Sequence, residues 1–271
     1  MKEQLTGKVQ WLQMQHRQGK FERVRVLYVN MNHVEKENTL LLRRQVTPFK
    51  FWQPLLTLSG LWKLSTCNLE GNFDVQQAAS LLPATINCLE LFPYQLPDEL
   101  ALSVFDRFPY LDTLRVQLDN EDVFETYLDA SRDTSFQMDT CFSHLVELQL
   151  APGPLQMPES STFATALPKI CNMCVALCPS HACAKELFNS KSLKELSVAF
   201  FSNYMPQPLY LVVSADSQLE CLHLEHMPKP NSQCILLSLR EKGLDFSCTG
   251  TFSFASDSKF VCEGTTTSID G

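Results

Sequence analysis

The 271-residue chain has no run of about 18 apolar residues, the length a helix needs to cross a bilayer, so no membrane span is expected. Its opening, Met1-Lys2-Glu3-Gln4-Leu5-Thr6-Gly7-Lys8, lacks the apolar segment of a secretory signal. None of its asparagines begins an Asn-x-Ser/Thr glycosylation site, and its 11 cysteines are odd in number and follow no framework spacing. Both absences fit a reducing compartment, where cysteine serves as a small apolar residue. An intracellular protein, cytoplasmic or nuclear, is expected.

Glycine is scarce as well. The nine glycines stand singly, which leaves neither a phosphate loop nor a dinucleotide fingerprint. There is no Gly-x-Ser-x-Gly elbow, and none of the six histidines falls in a recognisable triad motif. Neither an enzyme nor a cofactor is expected. Positive charge is short too, with 22 Lys and Arg against 30 Asp and Glu. The shortage is uneven: residues 1–50 carry ten basic and four acidic residues, so the remainder holds a balance of -14. An acidic body lacks the cations that displace counterions from phosphates, and nucleic-acid binding is not expected.

What the chain does have is repetition. Leu145-Val146-Glu147-Leu148-Gln149-Leu150 reads Leu-x-x-Leu-x-Leu, and near-copies begin at Leu61, Ile86, Leu111, Ile170, Leu193 and Leu219. Their spacings are 25, 25, 34, 25, 23 and 26 residues, the period of a solenoid. Alternate side chains of a strand leave opposite faces, so the fourth and sixth positions point into a core and the third, fifth and seventh point away. Between the strands, helices are expected at 74–82, at 97–108 with Leu100, Val104, Phe105 and Phe108 as its stripe, and at 232–242. The expected organisation has three parts. Residues 1–58 hold a helix ending at Gly19, an early repeat on Phe21, Val24, Val26 and Val29, and an aromatic cap on Phe49, Phe51 and Trp52. Residues 59–250 hold the repeats, and 251–271 form a C-terminal cap, with a hairpin from Phe252 to Val261, or a disordered tail.

The long interval contains an acidic insertion at 117–140, with seven acids against Arg132 and a short amphipathic helix around Asp122, Phe124 and Tyr127. Insertions in repeat arrays map to one rim and often carry binding. The outward positions compose a mixed-polarity, mildly acidic floor with one aromatic. Its candidate partner-binding residues are Lys63, Glu90, Phe92, Arg115 and Gln117, then Glu147, Gln149, Glu195, His223 and Glu225. Such a floor suits a protein partner, preferably a basic one. The best metal candidate is Cys171, Cys174, Cys178, His181 and Cys183, whose thiolates and imidazole are zinc-ligand types at close spacing. The repeat frame argues against their convergence, because Cys174 leaves the strand opposite to Met173 and Val175.

On these repeats the chain resembles the leucine-rich repeat superfamily over residues 61–250. The period near 25 and Cys178 at the ninth position look like its cysteine-containing, ribonuclease-inhibitor-like branch, common in F-box substrate receptors. The other ninth positions (Leu69, Tyr94, Asp119, Gly153, Phe201 and Met227) depart from that branch's Asn or Cys ladder. The resemblance implies an α/β solenoid of about seven to nine repeats, with a curved parallel sheet inside and helices outside. It also implies the substrate-recognition part of an F-box-type ubiquitin-ligase receptor, with a Skp1-type adaptor as a further partner. A ribonuclease-inhibitor-like sensor or inhibitor, or a zinc protein using the 171–183 cluster, is the alternative. Leu96-Pro97-Asp98-Glu99-Leu100 through Leu111 also looks like the opening of an F-box, but an acidic stretch follows where a basic, Cys- and Trp-containing helix belongs. An F-box would then precede residue 1 or be absent.

Overall fold

The computed structural model describes residues 14–15, 18–19, 24–30, 59–69, 75–93, 96–117, 135–158, 162–177, 186–188, 190–201, 209–213, 217–227, 235–239, 244–254, 261–262 and 266–268. In chain order the strands are β1 (Val26–Asn30), β2 (Lys63–Leu69), β3 (Cys88–Pro93), β4 (Glu99–Ala101), β5 (Thr113–Gln117) and β6 (Ser135–Gln137). There follow β7 (Glu147–Gln156), β8 (Asn172–Leu177), β9 (Glu195–Phe201), β10 (Leu209–Val213), β11 (Cys221–Met227), β12 (Ile235–Leu239) and β13 (Asp245–Phe254). Two short strands, β14 (Val261–Cys262) and β15 (Thr266–Ser268), end the series. Among the described residues, helices run over α1 (Val75–Leu81) and α2 (Phe163–Ala166), beside a 3-10 turn at Leu102–Phe105 and shorter helical stretches at 14–15 and 186–188. The result is an α/β protein dominated by parallel sheet, with few helices.

The chain forms two compact units, one of residues 1–97 and 104–121, the other of 98–103 and 122–271. In the first, β1, β2, β3 and β5 pair side by side, all parallel. Val26 stands beside Lys63, Lys63 beside Cys88, and Cys88 beside Thr113. In the second unit β7, β8, β9, β11 and β13 do the same, taking Glu147 to Asn172, Glu195, Cys221 and Asp245. Equivalent repeat residues at the third to fifth positions are thus direct neighbours with no offset. One backbone bond recurs at the second position of the successive repeats. The amides of Trp62, Asn87 and Asp112 donate to the carbonyls of Arg25, Trp62 and Asn87 at 2.8–2.9 Å. Those of Cys171, Lys194 and Glu220 donate to Val146, Cys171 and Lys194 at 2.7–2.8 Å.

The same residues form the core. Leu61, Leu64, Ile86, Leu89, Leu114, Leu145, Leu148, Leu150, Leu193, Val198, Leu222 and Leu224 are all completely buried or nearly so. At about 1.5–3 kcal/mol for each fully buried aliphatic side chain, the first, fourth and sixth positions supply most of the drive to stack. Before each strand the chain makes a tight turn, in which the amides of Ile86, Leu111, Leu145 and Ile170 bond carbonyls three residues earlier. At Leu193 and Leu219 the hydroxyls of Ser190 and Ser217 accept those amides instead.

Several expectations are corrected. The early repeat lies three residues later than the reading on Phe21: Val26 pairs with Lys63, so Val24, Leu27 and Val29 occupy the first, fourth and sixth positions. Both frames put apolar residue types at the core positions of the repeat, and only the pairing partner chooses between them. The 97–108 segment is not one helix but β4 followed by the 3-10 turn, because Glu99–Ala101 pairs with Ser135–Gln137. Leu100, Phe105 and Phe108 are buried as expected, and Leu102 joins them. The segment expected as a helix at 232–242 contains β12, which runs parallel to β10 and to the end of β13. Connecting segments therefore hold second strands as well as helices. The 74–82 expectation holds in α1, with Val75, Ala78, Ala79 and Leu82 buried.

The repeat frame also extends one unit past Leu219, since Asp245 pairs with Cys221. β14 returns antiparallel on β13 with Val261 opposite Thr251, and β15 pairs with Asp245–Ser247, so part of the expected tail is strand. Gly19 has φ 68, and Gln18 donates to the Met14 carbonyl, which is the helix end expected there. The rest of the first helix, the aromatic cap at Phe49, Phe51 and Trp52, and the insertion residues Asp122, Phe124 and Tyr127 lie outside the described residues. One insertion acid is accounted for: Asp139 accepts the Ser103 amide at 2.8 Å and its hydroxyl at 2.6 Å.

Candidate binding surfaces

Zero offset between repeats turns the outward positions into rows that cross the strands. In the first unit the fifth-position row is Tyr28, Ser65, Glu90 and Arg115. Lys63, from the third-position row, reaches diagonally to the Glu90 carboxylate at 3.1 Å, and Arg115 approaches the same oxygen at 3.5 Å. The Lys63 ammonium also lies 5.7 Å from the centre of the Tyr28 ring, a cation–π distance.

Glu90 is only 8% exposed. Burial alone would push its carboxyl up, but the Ser65 hydroxyl, the Lys63 ammonium and the Arg115 guanidinium outweigh that and hold it below the ordinary carboxylate value. Burial works to lower the Lys63 pKa, and the Glu90 hydrogen bond, helped by Cys88 and Tyr28, raises it. Beside them, burial pushes the Cys88 thiol up, keeping it protonated and unreactive. Phe92 is half-buried and Gln117 buried at the far end of the same face.

The second unit has a different surface. Glu147, Asn172 and Glu195 form its third-position row, and Gln149, Cys174, Ser197 and His223 its fifth. Together they border a hollow of about 210 Å³, floored by Leu148, Met173 and Leu196. Among the described residues, its lining contains two carboxylates and no lysine or arginine. Burial holds the His223 imidazole below its ordinary pKa, so it stays neutral at pH 7. Ala176 and Ala199, further along the same strands, are buried. Lys194 and Glu220, one residue before the strands, pair at 3.2 Å on the exposed rim. Glu225 belongs to β11, but its side chain, like that of His226, is outside the described residues.

Two residues of the cysteine cluster, Cys171 and Cys174, are among those described. Cys171 donates to the Lys169 carbonyl at 3.5 Å, while Cys174 lies on the outward face, with Met173 and Val175 buried behind it as the frame requires. Cys178, His181 and Cys183 are outside the described residues, and among those described no group of three His, Cys, Asp or Glu converges on a point. Among the described residues, no helix is long and apolar enough to cross a membrane.

The residue least visible in the sequence is Thr66, at the sixth position of the weakest repeat. It is 2% exposed, accepts the Phe92 amide at 3.2 Å and donates to the Glu90 carbonyl at 3.4 Å. A hydroxyl at a core position of a Leu-x-x-Leu-x-Leu frame is the signal that marks it. Set against protein-family models, curated proteins and solved structures, the chain matches none of them.

Proposed function

We propose that the chain is a leucine-rich-repeat solenoid that binds a protein partner across the third- and fifth-position rows of its ladder strands. The observation that carries this reading is the zero-offset register of equivalent repeat residues, which lines up polar side chains at strand spacing over a closed apolar core. Groups on strands are held more rigidly than groups on loops, so a partner loses less entropy in meeting them. The hollow bordered by Glu147 and Glu195 favours a basic group of that partner. The repeats' resemblance carries the finer reading, the substrate-recognition part of an F-box-type ubiquitin-ligase receptor.

The test is affinity purification from cell extract with mass spectrometry, using the wild-type chain and a Glu147→Lys/Glu195→Lys variant. Both glutamates are at least partly exposed, so the variant is expected to keep the wild-type thermal transition while losing its principal protein partner. An unchanged set of partners overturns the binding reading. A separate pull-down with a purified Skp1-type adaptor addresses the receptor reading, and failure of the intact chain to bind it removes that reading alone.

A further inference from the structure

Three polar side chains meet in the hollow of the second unit. Asn172 of β8 stands opposite Glu195 of β9, and Ser197 follows Glu195 by two residues, on the same outward face. All three line the hollow, Asn172 and Ser197 half-buried and Glu195 exposed. At about 4.8 Å between strands and about 3.3 Å per residue along one, their Cα atoms lie within roughly 5–8 Å of one another. Other polar groups of the wall, Glu147, Gln149 and His223 among them, have partners within the chain. Among the described residues, the side chains of Asn172, Glu195 and Ser197 make no hydrogen bond or ion pair.

The oxygens of these three groups, a carboxylate, an amide and a hydroxyl, are all hydrogen-bond acceptors. Beneath them the floor of Leu148, Met173 and Leu196 is apolar. At about 30 Å³ for each water of the liquid, a hollow of about 210 Å³ has room for roughly seven waters, close to the size of one long side chain. Resting on the reading of the ladder face as a binding surface, we propose that Asn172, Glu195 and Ser197 form a recognition site for an arginine side chain of an extended protein segment. The Glu195 carboxylate takes two N–H groups of the guanidinium in a bidentate pair, and the Asn172 amide oxygen and the Ser197 hydroxyl accept others. The aliphatic stem lies along the apolar floor. The pairing uses Glu195 alone, and Glu147 keeps its own contacts. Arginine is preferred to lysine on two grounds. An exposed ammonium–carboxylate pair contributes little, whereas the planar fork adds a second parallel bond. A guanidinium is also more weakly hydrated than an ammonium, so it loses less on entering a hollow with an apolar floor.

The experiment pans a display library of random twelve-residue peptides against the full chain, then measures affinities of the selected peptides by fluorescence anisotropy. The expected selection is rich in arginine. A selected peptide should bind Glu195→Gln about tenfold more weakly, the loss expected for one charge-assisted hydrogen bond. Replacing the peptide's own arginine by lysine, which keeps the charge and removes the fork, should weaken binding to the wild-type chain roughly fivefold. The peptide substitution leaves the site testable even where Glu195→Gln does not fold. Selection of neutral or acidic peptides overturns the arginine site while leaving the ladder face a binding surface. Lysine peptides that bind as tightly as arginine ones do the same, as do arginine peptides that bind Glu195→Gln as tightly as wild type. Failure to select any peptide overturns both.

Discussion

Glu90 is held by groups from three repeats, Ser65 and Lys63 from one, its own strand, and Arg115 from the next. Its folded pKa is depressed, so its contribution is complete above the unfolded value of 4.5 and is lost as pH falls through the lower folded value. Lys63 is raised, so its contribution is complete below 10.5 and lost only as pH rises through its folded value. The pair is therefore intact throughout the neutral range. His223 adds an earlier acid limb, because burial disfavours its cation and stability is lost as pH drops from 6.5 toward its folded value. Glu90→Gln is expected to cost roughly 1–3 kcal/mol at pH 7, less than a fully buried pair because both cations keep contact with water. It should also flatten the loss of stability below pH 4.5 while leaving the His223 limb in place. Urea midpoints measured from pH 7 to pH 3 decide this, and parallel curves for the two proteins would refute the assignment. The frame placed Lys63, Glu90 and Arg115 on one face, which the sequence makes readable. That Glu90 would be the buried one was not, because depth depends on how side chains 25 residues apart lean together.

At the scale of the element, the long strand β7 shows how one ladder strand serves two neighbours. Its pairing with β8 shifts between Gln149 and Pro154, while Leu155 pairs with Phe136 of β6. Three residues are extra on β7 across that shift, from Gln149 to Pro154 against Cys174 to Ala176. The bulge needs a residue with φ 113 at Gly153, in a region closed to residues with a Cβ. Gly153→Ala should therefore cost about 1–3 kcal/mol, read from the urea midpoint, and a loss below about 0.5 kcal/mol would mean that the bulge relaxes freely. The sequence placed Gly153 at the ninth position but supplied no reason for it. The ladder strands themselves were legible because their period is long and repeated. The segments between them were not. Ile235–Leu239 and Glu99–Ala101 are short stretches that fit either a helix or a strand, and what makes them strands is a partner: Leu209–Val213 for the first, Ser135–Gln137 for the second. No local pattern contains that information.

For the molecule as a whole, the ladder strands described within each unit pair side by side in repeat order, and on the proposed solenoid reading stability is close to a sum of repeat and interface contributions. Protection of backbone amides should then follow the repeat. The second-position amides that bond back to the preceding repeat, from Trp62 to Asp112 and from Cys171 to Glu220, and the strands that follow them are expected to exchange slowest. The inner strands β3, β8 and β9 have ladder partners on both sides and should lead, whereas β14 and β15, each paired with β13 alone among the described residues, should exchange earlier. Hydrogen exchange read by mass spectrometry over overlapping peptides would show this as maxima near residues 63, 88, 113, 147, 172, 195 and 221. Protection concentrated in the connecting segments instead would be incompatible with a stack of parallel strands. Leu148→Ala, at a fully buried fourth position, adds a sharper arm. It should cost about 2–5 kcal/mol and raise exchange most in β7 and β8, because the cavity opens at that interface before it is felt further along the ladder.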